Sequence, residues 1–241
     1  MWTAQTEGGM AESGERKTAL VVGAHPDDPD FGAGGTAALW TRQGWDFYYL
    51  VCTNGSKGSA NPEVNPAELI ESRRAEQRQA AQTLGVVDCF FYDGVDGELQ
   101  PTREFLGWIV WHIRTLRPDA VFTHSTEQII RDSFINHTDH RVTGQVTLDA
   151  IYPAARDIFN FPEQIAEGLQ PHKVLDIYIW GSNTPNYEVE IEEVIDLKIE
   201  ALMRHMSQFA GREGFRESVR DRWKNEQGRL VESFRRVQMR G

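Results

Sequence analysis

From Thr18 onward the chain alternates short, continuously apolar runs with longer amphipathic ones, and this rhythm constrains its fold more than any other feature. Residues 19–24 read as a buried parallel strand, being short and apolar throughout. Residues 36–43 read as a helix and 47–53 as the next strand. Asn65-Pro66 offers an N-cap followed by proline at the first helical position, opening a helix that runs to Leu84 and stops at Gly85. Residues 89–92 form a third strand, 104–116 a helix closed by Pro118, 120–123 a fourth strand and 139–151 a further helix. This βαβαβαβα order implies an α/β, Rossmann-like fold: a mostly parallel sheet with helices on both faces, joined by right-handed crossovers.

Beyond Pro153 the rhythm loosens. Residues 173–180 and 189–191 are expected as strands, and 215–236 as a polar terminal helix. Residues 195–209 are expected as one helix with the stripe Ile195, Ile199, Leu202, Met206 and Phe209. With no internal repeat and no linker, residues 18–241 are expected as a single domain behind a flexible arm over 1–17.

The charge balance and composition exclude several functions. A net charge of −11 opposes a phosphate-backbone partner, so no nucleic acid is expected. Apolar runs such as 19–22 fall far short of the ~20 residues that span a membrane, so no membrane partner is expected either. The polar opening lacks the apolar core of a signal peptide. Cys52 and Cys89 each sit inside a strand-like run, which argues against a disulfide framework or a cysteine-based metal site and for a reducing cytoplasm.

In such a sheet, ligands bind at the carboxyl ends of the strands. The first strand runs into Ala24-His25-Pro26-Asp27-Asp28, where His25 and Asp28 are spaced to reach one cation while Asp27 points elsewhere. The fourth strand leads through His124 to Asn136-His137-Thr138-Asp139-His140 at a helix start. Each segment has a plainer reading: Pro and Asp favour turns, and Asn136 with Asp139 would serve as an N-cap and a first-turn charge. Together they bring imidazoles and carboxylates to one edge, and two histidines with one carboxylate and an open position make a catalytic zinc arrangement. Iron, cobalt and nickel suit the same donors.

The residues also resemble a family. Residues 24–28, the run Gly32-Ala33-Gly34-Gly35-Thr36 and His137-Thr138-Asp139-His140-Arg141 are similar to signatures of the LmbE-like, or PIG-L, N-acetylglucosaminyl deacetylases. Arg73-x-x-Glu76 with Leu84-Gly85, Asp96-Gly97, Arg117-Pro118-Asp119 and His205-x-Ser207-Gln208 are weaker matches. Thr138 stands where the family usually has proline, and Pro29-Asp30 where it often has glutamate. The resemblance implies a zinc-dependent deacetylase, or one using another divalent transition metal, with His25, Asp28 and His140 as ligands and Asp27 as general base. It implies a small amino sugar or glycoconjugate as substrate, with Arg73 binding sugar hydroxyls; Asp96, after the third strand at the same edge, is expected from its position to bind hydroxyls too. The alternative within hydrolases is an amidase for a larger thiol conjugate or natural-product amide.

The chemistry is consistent with those roles. A metal lowers the pKa of its water toward ~7, and a carboxylate beside it takes the second proton as water attacks an amide. Protonated His137 is the expected donor to the oxyanion, with Asp139 orienting it and keeping it charged. Arg73 lies on an apolar stripe, which an ion pair would also explain, and Asp96 equally suits an Asp-Gly turn. His112 lies in a helix apolar almost all round, which points to core packing or to a homo-oligomer interface. His124 is a supporting group by position, His172 a loop residue, and His205 either approaches the pocket or faces solvent.

Two rival readings remain. Gly32-x-Gly34-x-x-Ala37 imitates a dinucleotide fingerprint, but the His-Pro-Asp-Asp turn separates it from the strand and the second strand ends in Thr53-Asn54 rather than an acid. A non-catalytic metal-binding module would not require Asp27.

Overall fold

The computed structural model describes residues 16–131 and 134–240, so the expected arm over 1–17 lies outside it except for Arg16 and Lys17. The parallel strands are β1 (Thr18–Gly23), β2 (Asp46–Thr53), β3 (Asp88–Gly94), β4 (Ala120–His124) and, further on, β7 (Asp176–Trp180). Between them run α1 (Asp28–Arg42), α2 (Pro66–Leu84), α3 (Arg103–Leu116), a hairpin of β5 (Ile130–Arg131) and β6 (Phe134–Ile135), α4 (Thr138–Ile151) and α5 (Pro162–Ala166). The remainder is β8 (Tyr187–Glu190), α6 (Ile195–Met203), α7 (Met206–Phe209), α8 (Phe215–Arg222) and β9 (Val231–Gln238). The main sheet has the order β3-β2-β1-β4-β7-β9-β8, parallel through β7, with β9 antiparallel to both of its neighbours.

Side-chain alternation along β1 builds a core on each face. Ala19 and Val21 pack toward α1, α2 and α6, whereas Leu20 and Val22 pack toward α3 and α4. The chain order reverses between β1 and β4, which opens a crevice at their carboxyl ends. Local signals set the connecting helices. Asn65 accepts from the Ala67 N–H with Pro66 behind it, Gly85 closes α2 at φ 80°, and Thr102 caps α3 through the Phe105 N–H.

Three expected elements are corrected. Helix α1 starts at Asp28 rather than residue 36, because its glycines weaken the local helical signal but are needed for packing. A Cβ on Gly32 would lie 2.5 Å from the Trp180 ring, and one on Gly35 would lie 2.7 Å from Ile191 and 3.0 Å from Glu232. These glycines therefore admit side chains inside a helix and form no dinucleotide cradle. The expected 195–209 helix breaks between α6 and α7, where His205 turns inward to Asp30 with Nε2 2.8 Å from Oδ2. The expected terminal helix ends at Arg222, and residues 231–238 form a strand that covers the open edge of β7. On α3, Phe105, Ile109, Val110 and Ile113 are buried within the chain and His112 packs against Trp108 and Phe90, which accounts for His112 as a core residue, whereas Trp111 stays exposed.

Candidate metal centre

The turn after β1 and the start of α4 meet over the β1/β4 crevice. Nδ1 of His25 lies 3.2 Å from Asp28 Oδ2, and Nε2 of His140 lies 3.3 Å from Asp28 Oδ1. The donor atoms of His25, Asp28 and His140 all fall within 4.8 Å of one another. Donors about 2.0–2.1 Å from a tetrahedral ion stand roughly 3.3 Å apart, so this imidazole–carboxylate set fits zinc or a related divalent ion. Burial pushes the Asp28 carboxyl up, but His140 and His124 outweigh it and hold the group well below the usual range. His25 is also buried, yet hydrogen bonds to Asp139, Asp28 and Asp96 hold its pKa well above the ordinary value. A cation placed among these carboxylates would take over the role of that proton.

Asp27 stands apart from the converging donors. It precedes α1 at φ 110° and ψ −31° with no side-chain cap, a backbone state that costs a non-glycine residue about 1–3 kcal/mol. Burial first, and the Asp28 charge second, raise its carboxyl to about 6. Arg73 Nη2 lies 3.5 Å from Asp27 Oδ2. The guanidinium is buried, donating to Pro26 O at 2.6 Å and Gly55 O at 3.0 Å. Arg73 thus braces the turn, as the ion-pair alternative anticipated, and does not present its donors to a sugar.

Asp96 does reach the cluster. Its Oδ1 is 3.2 Å from His25 Nε2, and its Oδ2 accepts from the Lys57 N–H. Against the upward push of burial, the hydrogen bond and charge of His25 bring its carboxyl down to about 2. Asp139 is fully buried and also faces His25 Nε2, at 3.1 Å. The expectation that it orients His137 is corrected by geometry, since its Oδ2 is 3.8 Å from His137 Nδ1. That Nδ1 instead accepts the Asp139 backbone N–H and caps α4. Burial and then the His25 charge lower the His137 pKa, so the expected protonated His137 is corrected to a neutral ring with Nε2–H as its free donor. Asn136, the alternative cap, instead ties the preceding loop to Glu127 O and the Ile129 N–H.

His124 is more involved than its sequence position suggested. Its ring stacks on His140 with centroids 4.2 Å apart, and its Nε2 lies 3.3 Å from Asp28 Oδ2 and 3.2 Å from the Ala24 nitrogen. Trp180 Nε1–H donates to His124 Nδ1 at 3.1 Å. An indole only donates, so Nδ1 accepts from Trp180, while Nε2 faces both the Ala24 N–H and Asp28 Oδ2. Trp180 was missed, although its place at the end of β7 put it on the same edge as the ligands. A cavity of about 400 Å³ adjoins Asp28 and His140 and is walled by Phe31, Ile129, Phe134, Trp180 and Trp223.

The fold and site define a metal-dependent deacetylase, a hydrolase of N-acetyl amides. The profile of the PIG-L family, described as GlcNAc-PI de-N-acetylase, matches residues 20–151, and the chain belongs to that family. A diacetylchitobiose deacetylase from Thermococcus kodakarensis is 36% identical over 196 residues, which span 80% of this chain and 70% of its own. A mycothiol S-conjugate amidase from Streptomyces coelicolor is 29% identical over 204 residues, spanning 76% and 67%. Among solved structures, N,N'-diacetylchitobiose deacetylase from Pyrococcus horikoshii matches with a TM-score of 0.83 at 27% identity, covering 92% of this chain and 84% of its own. Among the described residues, no helix is long and apolar enough to cross a membrane.

Proposed function

We propose that this chain is a zinc-dependent N-deacetylase that removes acetyl from an N-acetylglucosamine-like sugar or glycoconjugate. The observation that carries the reading is the separation of roles at one edge: three donors converge, while Asp27 stays beside them with its carboxyl raised to about 6. His25, Asp28 and His140 would hold the ion. When bound, zinc or a related divalent ion supplies Lewis acidity toward the amide carbonyl and toward water.

The remaining work falls to the chain. Asp27 takes a proton from water as its oxygen forms the new bond to the carbonyl carbon. The Nε2–H of neutral His137 donates to the oxygen on which negative charge develops. Because that ring keeps its only proton, Asp27 is the group that returns a proton to the nitrogen as the C–N bond breaks. Acetic acid and a free amine result, and the carboxyl proton passes to the amine or to water. Asp96, whose oxygens already lie against His25 and the Lys57 N–H, would accept a substrate hydroxyl as a further donor, and the deacetylase relatives support a small amino-sugar substrate.

A second reading uses the same cavity, whose volume of about 400 Å³ also has room for a larger acyl group. A larger acyl group would use that space, in line with the amidase relative. The test is direct detection of carboxylic acid released from N-acetylglucosamine, N,N'-diacetylchitobiose and N-acyl analogues of increasing length. Activity should vanish with chelator, return with zinc, and be lost in Asp27→Ala protein that still holds metal. Full activity in chelator-treated, metal-free protein would overturn the proposal.

A further inference from the structure

We propose that Gln77 is a positioning residue that holds Asp27 in place for proton transfer by gripping the Pro26–Asp27 peptide. The inference rests on the reading of Asp27 as the base. The left-handed φ of Asp27 is unfavourable for an L residue, and no side-chain cap supports it locally. Support comes instead from α2. Gln77 Oε1 accepts the Asp27 N–H at 2.8 Å, while Arg73 Nη2 donates to Pro26 O at 2.6 Å. These are the two polar ends of a single peptide plane, held by side chains one helical turn apart on one face. A plane fixed at both ends cannot rotate, and because the Asp27 carbonyl accepts the Asp30 and Phe31 N–H groups at 3.1 and 3.0 Å, the direction in which Asp27 leaves the backbone is fixed as well.

Gln77 is itself held. Its Nε2 donates to Asp30 Oδ2 at 2.7 Å, and the same oxygen lies 2.8 Å from His205 Nε2. Gln77, Asp30 and His205 are fully buried, so water does not substitute for any of these partners. The position needs an acceptor for a backbone N–H and a donor for a carboxylate on one side chain, which an amide provides. His205, far away in sequence between α6 and α7, thereby bears on the geometry of the base although it does not touch the metal cluster.

The experiment is a double-mutant cycle on the metal-loaded enzyme. Gln77→Leu, Asp27→Ala and the double variant are compared for kcat, KM, metal content and melting temperature. Misplacement of a reacting group by an ångström costs about 10²-fold, so Gln77→Leu should lower kcat by that factor with KM and metal content unchanged. In the Asp27→Ala background the same change should have no further effect, whereas a merely structural role would act equally in both. An equal fold-loss in both backgrounds, or a kcat within about threefold of the parent, overturns the inference. If Asp27→Ala alone keeps full activity, the reading of the base fails instead. Should Gln77→Leu not fold, Gln77→Asn keeps the amide one methylene short and is read by the same outcomes.

Discussion

Oδ2 of Asp139 stands 3.1 Å from His25 Nε2 while accepting the Gly97 N–H at 2.7 Å. Its other oxygen accepts the Leu99 N–H at 3.2 Å. The carboxylate is therefore fixed by the loop after β3 and fixes His25 in turn, leaving Nδ1 free toward Asp28. A histidine with one nitrogen held by a carboxylate is a better and better-aimed metal donor.

Asp139→Asn should accordingly weaken metal binding by about 10–100-fold, measured by competition with a chromogenic chelator, and recover much of its rate at saturating metal. Unchanged metal affinity with a low rate at saturation would return Asp139 to His137.

Much of this arrangement was legible because the signals were local. Asn65-Pro66 and Gly85 bracket a helix by their own chemistry, and 19–24 is too short and too apolar to be anything but a buried strand. The rule that ligands gather at strand ends then brought the His25–Asp28 turn and the 136–140 segment together across more than a hundred residues, and the family resemblance singled out His140 within it. What could not be read depended on distant partners. Residues 231–238 look helical until the open edge of β7 claims them, and nothing near Asp30 announces His205. Asp139 turned to His25 because Gly97 and Leu99 aim it, which a motif of five residues does not encode.

The rate should fall on the acid side as Asp27 takes up a proton. As a base it works only when ionised, and its carboxyl is raised to about 6 by burial and by the Asp28 charge. A cation on Asp28 offsets the second cause, so the acid limb of kcat/KM is expected at or below about pH 6 with unit slope. Asp27→Ala should cost about 10²–10⁴-fold and abolish that limb. An acid limb persisting unchanged in the variant would assign it to another group.

Fold stability should carry a separate pH signature from His112. Burial lowers its pKa despite the hydrogen bond from Nδ1 to Trp108 O, so the folded ring stays neutral where the unfolded one, with a pKa of about 6.5, is protonated. The unfolded state then binds more protons, and stability is lost as pH falls below that value. Urea melts from about pH 7 to pH 5 should be less pH-dependent for His112→Phe than for the parent. Equal slopes would show that His112 is not the source.

The buried Lys198–Glu232 pair sets the last expectation. Glu232 accepts the Gly35 and Thr36 N–H groups at 2.7 Å each within α1, and Lys198 Nζ donates to Phe31 O at 2.8 Å as well as to Glu232. The ammonium also lies 4.1 Å over the Trp223 ring. Both charged groups are out of water, so removing one leaves the other uncompensated, which typically costs about 3–5 kcal/mol. Lys198→Met should lose that much in denaturant unfolding, and adding Glu232→Gln should restore part of it by removing the stranded charge. Because Glu232 braces the helix that begins at Asp28, Lys198→Met should also weaken metal retention, and the double variant should recover some of it. A single variant within about 1 kcal/mol of the parent would mean that the backbone donors alone satisfy Glu232.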